Sequence, residues 1–170
     1  MNLFLMQKHL YKFKTMEYIY INRLKDLKEK RGWNYTGVNI SEINELQEKF
    51  NIIFPVAYNE FLSYSGNFST VIKQGHSFEF LEQDQQDAQK WLKEYDLENL
   101  IKKPFWVIAT LERAFWYFHL DEGDNPPIYR LDTEYYEDYP NESSFGKVAD
   151  SFQAWIEKAI DYFEEDPENQ

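Results

Sequence analysis

The sequence predicts an α+β fold with N-terminal helices, a mainly antiparallel sheet of about four to six strands, and a closing C-terminal helix. Three patterns support this prediction. Apolar residues recur at helical spacing across residues 40–66. The run at 115–120 is apolar on both faces, as in a central strand that is covered on each side. Residues 152–163 carry one long apolar stripe of helical period.

The first predicted element is an amphipathic helix over residues 16–30. Tyr20, Leu24 and Leu27 line one side of it, and Gly32 is expected to end it. The preceding residues are basic and aromatic, and Met16 offers an alternative start. We expect residues 1–15 to be a peripheral extension that is loosely attached, because chain termini are commonly poorly ordered.

Residues 40–66 predict two helices joined by a short turn. Asn39 or Ser41 is expected to cap the first helix. Pro55 suits the first position of the second helix, since its fixed φ is helical and its missing N–H is not needed there. Gly66 is expected to stop that helix in the left-handed conformation. The two apolar faces consist of Ile40, Ile43, Leu46 and Phe50 and of Tyr58, Phe61, Leu62 and Ser65.

Strands and a further helix are predicted next. Residues 68–73 and 76–81 flank Gln74-Gly75 and predict two strands with a tight connection. Residues 84–102 predict a helix that ends before Pro104, and residues 105–109 predict a strand. The apolar positions of the helix are Ala88, Trp91, Leu92, Tyr95, Leu97, Leu100 and Ile101.

The remaining chain predicts a hairpin, a loop and the closing helix. A polar turn at 121–127 separates the strand 115–120 from a strand at 128–131, which should pair antiparallel. Residues 132–142 form an acidic, tyrosine-rich loop, and Asp150 is expected to cap the last helix. We expect one domain over residues 16–163 and an acidic, disordered tail over 164–170.

Charge and composition limit the classes of function. Residues 1–35 carry eight Lys and Arg against three Asp and Glu, a net of +5. Residues 36–170 carry ten against twenty-seven, a net of −17. Such an acidic body disfavours nucleic-acid binding and favours a basic partner. The absence of cysteine excludes disulfides and thiolate chemistry, and no apolar run is long enough for a membrane span, so the cytoplasm is the expected location.

No motif of catalysis, cofactor binding or metal binding is evident, and we expect a protein that is not an enzyme. His9, His76 and His119 are dispersed, and His119 is expected to be a satisfied core or sheet-edge residue. The aromatic pairs at 105–106 and 115–116 would suit a ligand pocket, but at strand spacing they favour a packed core.

Several segments carry a family resemblance. In the N-terminal half they are the helix 41–50, the turn Ile52-Ile53-Phe54-Pro55 and residues 58–67, and in the C-terminal half they are residues 117–121, 127–129 and 148–155. In this order they resemble the SUKH superfamily, the Smi/Knr-like group of cell-wall regulators that also includes many bacterial toxin-immunity proteins, with the later segments similar to its final strands and closing helix. Two positions depart from the family pattern: Phe54 stands where the family usually has leucine, and Ser-Gly-Asn at 65–67 replaces a more typical glycine pair. The family marks are Phe54, Pro55, Tyr58, Phe61, Leu62, Gly66, Phe152 and Trp155.

This resemblance implies an immunity protein that neutralises a cognate toxin, with a basic nuclease-type effector as the expected partner. The alternative is a regulatory interaction scaffold in cell-wall or stress signalling. An acidic segment that carries several tyrosines suits docking into a basic cleft, although a solvated loop with its rings folded onto the sheet is an equal alternative. The candidate partner-binding residues are Asp121, Glu122, Asp124, Asp132, Glu134, Tyr135, Tyr136, Glu137, Asp138 and Tyr139.

Overall fold

The computed structural model describes residues 18–32, 34–69, 77–138 and 144–165. The elements are α1 (Asn22–Arg31), β1 (Tyr35–Thr36), α2 (Ile40–Phe50), α3 (Val56–Ser65), β2 (Phe68–Ser69), a 3₁₀ turn (Phe78–Phe80), α4 (Leu81–Glu94), β3 (Phe105–Leu111), β4 (Ala114–His119), β5 (Ile128–Asp132), α5 (Thr133–Asp138), β6 (Phe145–Ala149) and α6 (Phe152–Glu165). Strands β3 to β6 form one antiparallel sheet in sequential order, and β1 pairs with β2 in a separate antiparallel ribbon. The predicted α+β class, antiparallel sheet and closing helix are confirmed.

The sheet is covered on both faces, as the doubly apolar strand predicted. Phe118 of β4 belongs to a core that includes Leu24 of α1, Phe61 of α3 and Ile156 of α6. The preceding residue in the strand, Tyr117, points into a second core built with α4. Within the described ranges, no helix is long and apolar enough to cross a bilayer.

Helix α1 begins at Asn22, later than predicted, because the backbone just before it is hydrogen-bonded to a side chain of α3. The buried Glu60 carboxylate of α3 accepts hydrogen bonds from the backbone N–H groups of Ile19, at 2.9 Å, and Tyr20, at 2.8 Å. These bonds keep the entry to α1 non-helical. Gly32 ends the helix with φ of 67°, as predicted.

The predicted helix pair is confirmed, with two corrections. Asn39 caps α2 by accepting from the Ser41 N–H at 3.0 Å, whereas Pro55 is the cap of α3 and not its first residue. Gly66 has φ of −68°, so the predicted left-handed stop is wrong. Glycine is needed there for space: an added Cβ would lie 2.6 Å from the Leu62 carbonyl oxygen.

The prediction of a hairpin over residues 68–81 is wrong. Phe68–Ser69 pairs with Tyr35–Thr36, and Phe78–Phe80 forms a 3₁₀ turn that leads directly into α4. Residues 70–76 lie outside the described part of the chain. Aromatic alternation at 78–80 therefore marks a helix entry, because short apolar runs do not distinguish a strand from a helical turn.

Helix α4 ends at Glu94, so the prediction that the helix continues through residues 97–102 is wrong. Asp96 adopts the left-handed conformation with φ of 54°, and the Leu97 N–H reaches back to the Leu92 carbonyl at 2.8 Å. The chain turns there while Leu97 and Ile101 remain buried. Both side chains still pack in the same core as Trp91 and Leu92, because a compact turn takes the place of the predicted last turns of the helix.

The predicted loop at 132–142 begins as a helix. Asp132 Oδ1 accepts from the Tyr135 N–H at 3.1 Å and thereby caps α5. The Thr133 hydroxyl donates to the Arg113 carbonyl at 2.8 Å, which fixes the start of α5 against the β3–β4 turn. Residues 139–142 lie outside the described ranges.

The closing helix is confirmed, but its cap is Ser151. The Ser151 hydroxyl accepts from the Ala154 N–H at 3.0 Å, whereas Asp150 pairs with Lys147 at 2.6 Å. The Lys147 ammonium lowers the pKa of Asp150. Helix α6 continues through Glu165, two residues into the predicted tail, and residues 166–170 lie beyond the described residues.

Candidate partner-binding site

The predicted binding residues form two groups at opposite ends of the sheet. The turn group, Asp121, Glu122 and Asp124, follows β4 beyond His119. The helix group comprises Asp132 and residues 134–138 and lies at the other end, since Asp132 pairs with Ala114 at the start of β4. A strand of five or six residues spans roughly 17–20 Å. The structure therefore does not bring these residues into one patch, and Tyr139 lies outside the described chain.

The turn group sits on a segment that is fixed by backbone hydrogen bonds. The Asp124 carbonyl accepts from the Ala57 N–H of α3 at 2.9 Å. The Asn125 side chain accepts from the Gln153 N–H of α6 at 3.0 Å. Both donors belong to the first turns of helices, where N–H groups have no partner within the helix. One hairpin turn thus satisfies two helix starts and is held rigid by them.

Glu122 is the centre of a polar and aromatic cluster. Its Oε1 accepts from the Tyr129 hydroxyl and the Lys103 ammonium, each at 3.3 Å. The Tyr129 ring lies 5.0 Å from the His119 ring and 5.4 Å from the Tyr117 ring. Burial, followed by the negative charge of Glu122, raises the pKa of Tyr129. The hydrogen bond from Lys103 to Glu122 raises the pKa of Lys103.

Two atoms in this cluster are enclosed without a hydrogen-bond partner among the described residues: Glu122 Oε2 and His119 Nδ1. The sequence predicted a satisfied core or sheet-edge histidine. His119 does end the central strand, but its Nδ1 is not satisfied. A buried polar atom without a partner carries a desolvation cost, which a hydrogen-bond donor or acceptor that reached it would offset.

The helix group has a different character. Asp132 is engaged on both oxygens, by Arg130 at 2.9 Å and by the backbone N–H of Tyr135 at 3.1 Å. Glu134 and Tyr135 are exposed, while the Tyr136 ring packs edge-on against Phe145 at 6.0 Å. One tyrosine therefore folds onto the sheet and its neighbour remains accessible. Of residues 137 and 138, the structure describes only the backbone, in α5.

The family marks meet in one aromatic core. Tyr58 lies at its centre, with ring distances of 5.0 Å to Phe54, 5.2 Å to Phe118 and 5.5 Å to Phe152. The Phe61 ring also lies 5.5 Å from that of Phe152. These residues hold α3 and α6 against the sheet, so their role is structural. Leu62 is buried as well, Trp155 is half-buried, and Pro55 and Gly66 shape the ends of α3.

One buried carboxyl lies away from both groups. Asp84 of α4 accepts from the Thr110 hydroxyl at 2.9 Å, and burial raises its pKa to about 6. The aromatic pairs at 105–106 and 115–116 pack as predicted, with Trp106 and Phe115 fully in the core. Across the described residues, no group of three or more His, Asp or Glu side chains is arranged to hold a metal ion.

Sequence analysis missed two members of the Glu122 cluster. Lys103 precedes β3 and Tyr129 belongs to β5, so neither is a neighbour of Glu122 along the chain. Strand pairing and the chain entering β3 bring them together. The only local signal was the alternation in β5, which places Tyr129 and Leu131 on one face.

A comparison of the sequence with models of protein families gives a match, which is consistent with the fold and with the family residues described above. The model of the SMI1 / KNR4 family (SUKH-1) matches residues 37–158, a segment that includes the whole sheet, α2 to α5 and the first half of α6. A search of curated proteins found no match. Helix α1 precedes the matched segment and packs on the same core through Leu24 and Leu27. Because the match covers most of the chain, this protein belongs to the SMI1 / KNR4 family (SUKH-1).

Proposed function

We propose that this protein is an immunity protein that binds a cognate bacterial toxin, a basic nuclease-type effector, in the cytoplasm. Neutralisation is stoichiometric and non-catalytic. The observation that supports this proposal is a family fold with a net charge of −17 over residues 36–170. Complementary charge accelerates the encounter of two proteins and selects against partners of the same sign.

The arrangement of charges supports a partner that meets the acidic body. Arg23 of α1 pairs with Asp161 and Glu164 of α6, and Arg31 also pairs with Glu164. Cationic groups of the N-terminal helix are thus partly neutralised within the chain. Asp121, Asp124 and Glu134 remain exposed at the two ends of the sheet. A basic partner would therefore meet exposed acids at either end of the sheet, because Arg23 and Arg31 of α1 are paired with acids of α6 instead.

The first test is genetic and biochemical. A toxin-like reading frame adjacent to the gene should encode a protein that forms a one-to-one complex with this chain and loses its toxicity in the complex. Co-expression and size-exclusion chromatography measure both. If the gene stands apart from any toxin-like frame and the protein captures no toxin, the proposal fails.

Charge reversal then tests the two ends of the sheet. Lysine at Glu134, Glu137 and Asp138 should slow toxin association and reduce its salt dependence, while urea unfolding stays unchanged. Lysine at Asp121 and Asp124, the two exposed acids of the turn group, tests that group in the same way. Lysine at the exposed Glu45, Glu48 and Glu98 is the control for the first set, and lysine at Glu45 and Glu48 alone is the control for the second, so that the change in net charge is matched. An unchanged association rate for one set places the interface elsewhere.

A second function is a regulatory scaffold in cell-wall or stress signalling. Membership of a family that includes Smi/Knr-like regulators supports it as well. Affinity purification from the host separates the two proposals. A stable complex with a host protein that is not a toxin, formed in the absence of any toxin gene, favours the scaffold.

A further inference from the structure

We infer that Glu122, together with the rings of Tyr129 and His119, is an acceptor site for an arginine side chain of the partner protein, and that Lys103 occupies it in the free chain. The inference rests on the proposed function in one respect, since it takes the partner to be a basic protein. It adds the anchoring residue and the chemical group that the residue recognises.

Only one of the two carboxylate oxygens of Glu122 accepts hydrogen bonds from the described residues. Tyr129 and Lys103 both donate to Oε1, while Oε2 is enclosed and has no donor within the described chain. An enclosed carboxylate oxygen without a donor carries a desolvation cost that nothing offsets. A ligand that donates to Oε2 would therefore gain more at this position than at a solvated surface acid.

The geometry favours a guanidinium over an ammonium. The Lys103 ammonium lies 3.3 Å from Oε1 and does not satisfy Oε2. A guanidinium presents two parallel N–H donors at the spacing of the two carboxylate oxygens, so it can satisfy both. A guanidinium also interacts favourably with aromatic rings, and two rings lie beside this carboxylate: the Tyr129 hydroxyl bonds to Glu122, and the His119 ring lies 5.0 Å from the Tyr129 ring.

Displacing Lys103 is expected to cost little. Its side chain is 52% exposed, and it also pairs with the exposed Asp121 at 3.6 Å. Exposed ion pairs contribute little to stability, because water solvates the separated charges well. Lys103 can thus rotate toward Asp121 or into solvent while an incoming arginine takes its place.

The other acidic group lacks this property. Both oxygens of Asp132 already accept hydrogen bonds, from Arg130 and from the Tyr135 N–H. The turn that carries Glu122 is moreover fixed by the starts of α3 and α6, so the backbone that presents its carboxylate needs no reordering on binding. These contrasts assign the anchoring role to Glu122.

The experiment is an NMR titration of the full chain with N-acetyl-arginine amide and, separately, N-acetyl-lysine amide. The arginine compound should produce saturable shifts of the His119 and Tyr129 ring signals and bind at least about threefold more tightly than the lysine compound. Lys103→Met should tighten arginine binding by about two- to fivefold, because it removes the internal competitor. Glu122→Gln should abolish the saturable shifts, and Glu98→Gln, the same change at an exposed glutamate outside both acidic groups, serves as the matched control.

Equal shifts with the two compounds, or an unchanged titration in Glu122→Gln, would overturn the acceptor site. Lys103→Met provides a second criterion should Glu122→Gln unfold, since arginine affinity that does not rise in this variant also overturns it. The titration contains no toxin. A failed titration beside an intact toxin complex therefore rejects only the acceptor site, whereas a positive titration beside a failed toxin capture rejects only the immunity function.

Discussion

The side-chain amide of Gln85 forms two hydrogen bonds with the backbone of Val107: Nε2 donates to the carbonyl at 2.9 Å, and Oε1 accepts from the N–H at 2.8 Å. Strand β3 is at the edge of the four-stranded sheet. The amide of Gln85 thus replaces a neighbouring strand at this point. It satisfies two backbone groups that would otherwise be free to pair with another chain.

Gln85→Leu should destabilise the protein by about 2–3 kcal/mol, because it leaves two backbone groups of Val107 without their partners. Urea unfolding measures the loss. Gln83→Leu on the same helix is the control, since Gln83 is exposed and its side chain donates to the Asp87 carboxylate and not to strand β3. Equal unfolding midpoints for the two variants would contradict the role assigned to Gln85.

Glu60→Leu should loosen the entry to α1. The variant removes the acceptor for the N–H groups of Ile19 and Tyr20, and we expect a loss of about 2–4 kcal/mol in the free energy of unfolding. Hydrogen exchange of these two amides should accelerate more than exchange in β4. Glu60→Gln keeps one acceptor oxygen and should lose less. Unchanged protection of both amides in Glu60→Leu would refute the tether.

Gly66→Ala and Gly32→Ala should both destabilise the protein, but by different amounts and for different reasons. At Gly66 a new Cβ would lie 2.6 Å from the Leu62 carbonyl oxygen and 2.9 Å from Val38, so packing must shift, at a cost of about 2–3 kcal/mol. At Gly32 the space is open and only the positive φ of 67° is unfavourable, at about 1 kcal/mol. Asparagine should be tolerated at Gly32 and not at Gly66. Thermal unfolding of the four variants provides the comparison, and equal losses at both sites would show that packing at Gly66 is loose.

Asp84→Asn should stabilise the protein at neutral pH. Burial raises the folded pKa of Asp84 to about 6 from the ordinary value of 3.8, so the folded state favours the neutral carboxyl. The stability from that neutral form is complete below pH 3.8 and is lost as the pH rises toward 6. Asparagine resembles the neutral carboxyl and can still accept from Thr110. Its advantage in urea unfolding should be larger at pH 7.5 than at pH 5.0, and an advantage independent of pH would contradict the shifted pKa.

Local periodicity predicted the elements whose apolar faces are long and continuous. Helices α2, α3 and α6 and strand β4 were predicted because their side chains repeat at one period over several turns or along a whole strand. The failures occurred where the local pattern was short or ambiguous, at the 3₁₀ turn Phe78–Phe80 and at α5. Gly66 failed for another reason: its requirement comes from close contacts with the Leu62 backbone and with the Val38 side chain, and the sequence pattern shows neither distance.

The candidate site was predictable only in part. Glu122 was included because it lies in a polar, acidic turn, but its significance depends on Lys103, His119 and Tyr129. His119 was expected to be an ordinary satisfied residue, and the other two were not considered. Their proximity depends on strand register and on the turn that accepts hydrogen bonds from the first turns of α3 and α6, neither of which is encoded by neighbouring residues.

Periodicity, short motifs and net charge are local or additive properties, so they were sufficient to predict the α+β class, the resemblance to the SUKH superfamily and the excess of acid in the body of the chain. The fold was needed to show that the acidic residues separate to two ends of the sheet, and that Glu122 meets Lys103 from 19 positions away. Those outcomes follow from antiparallel pairing, which places residues by their partners on the neighbouring strand and not by their neighbours along the chain.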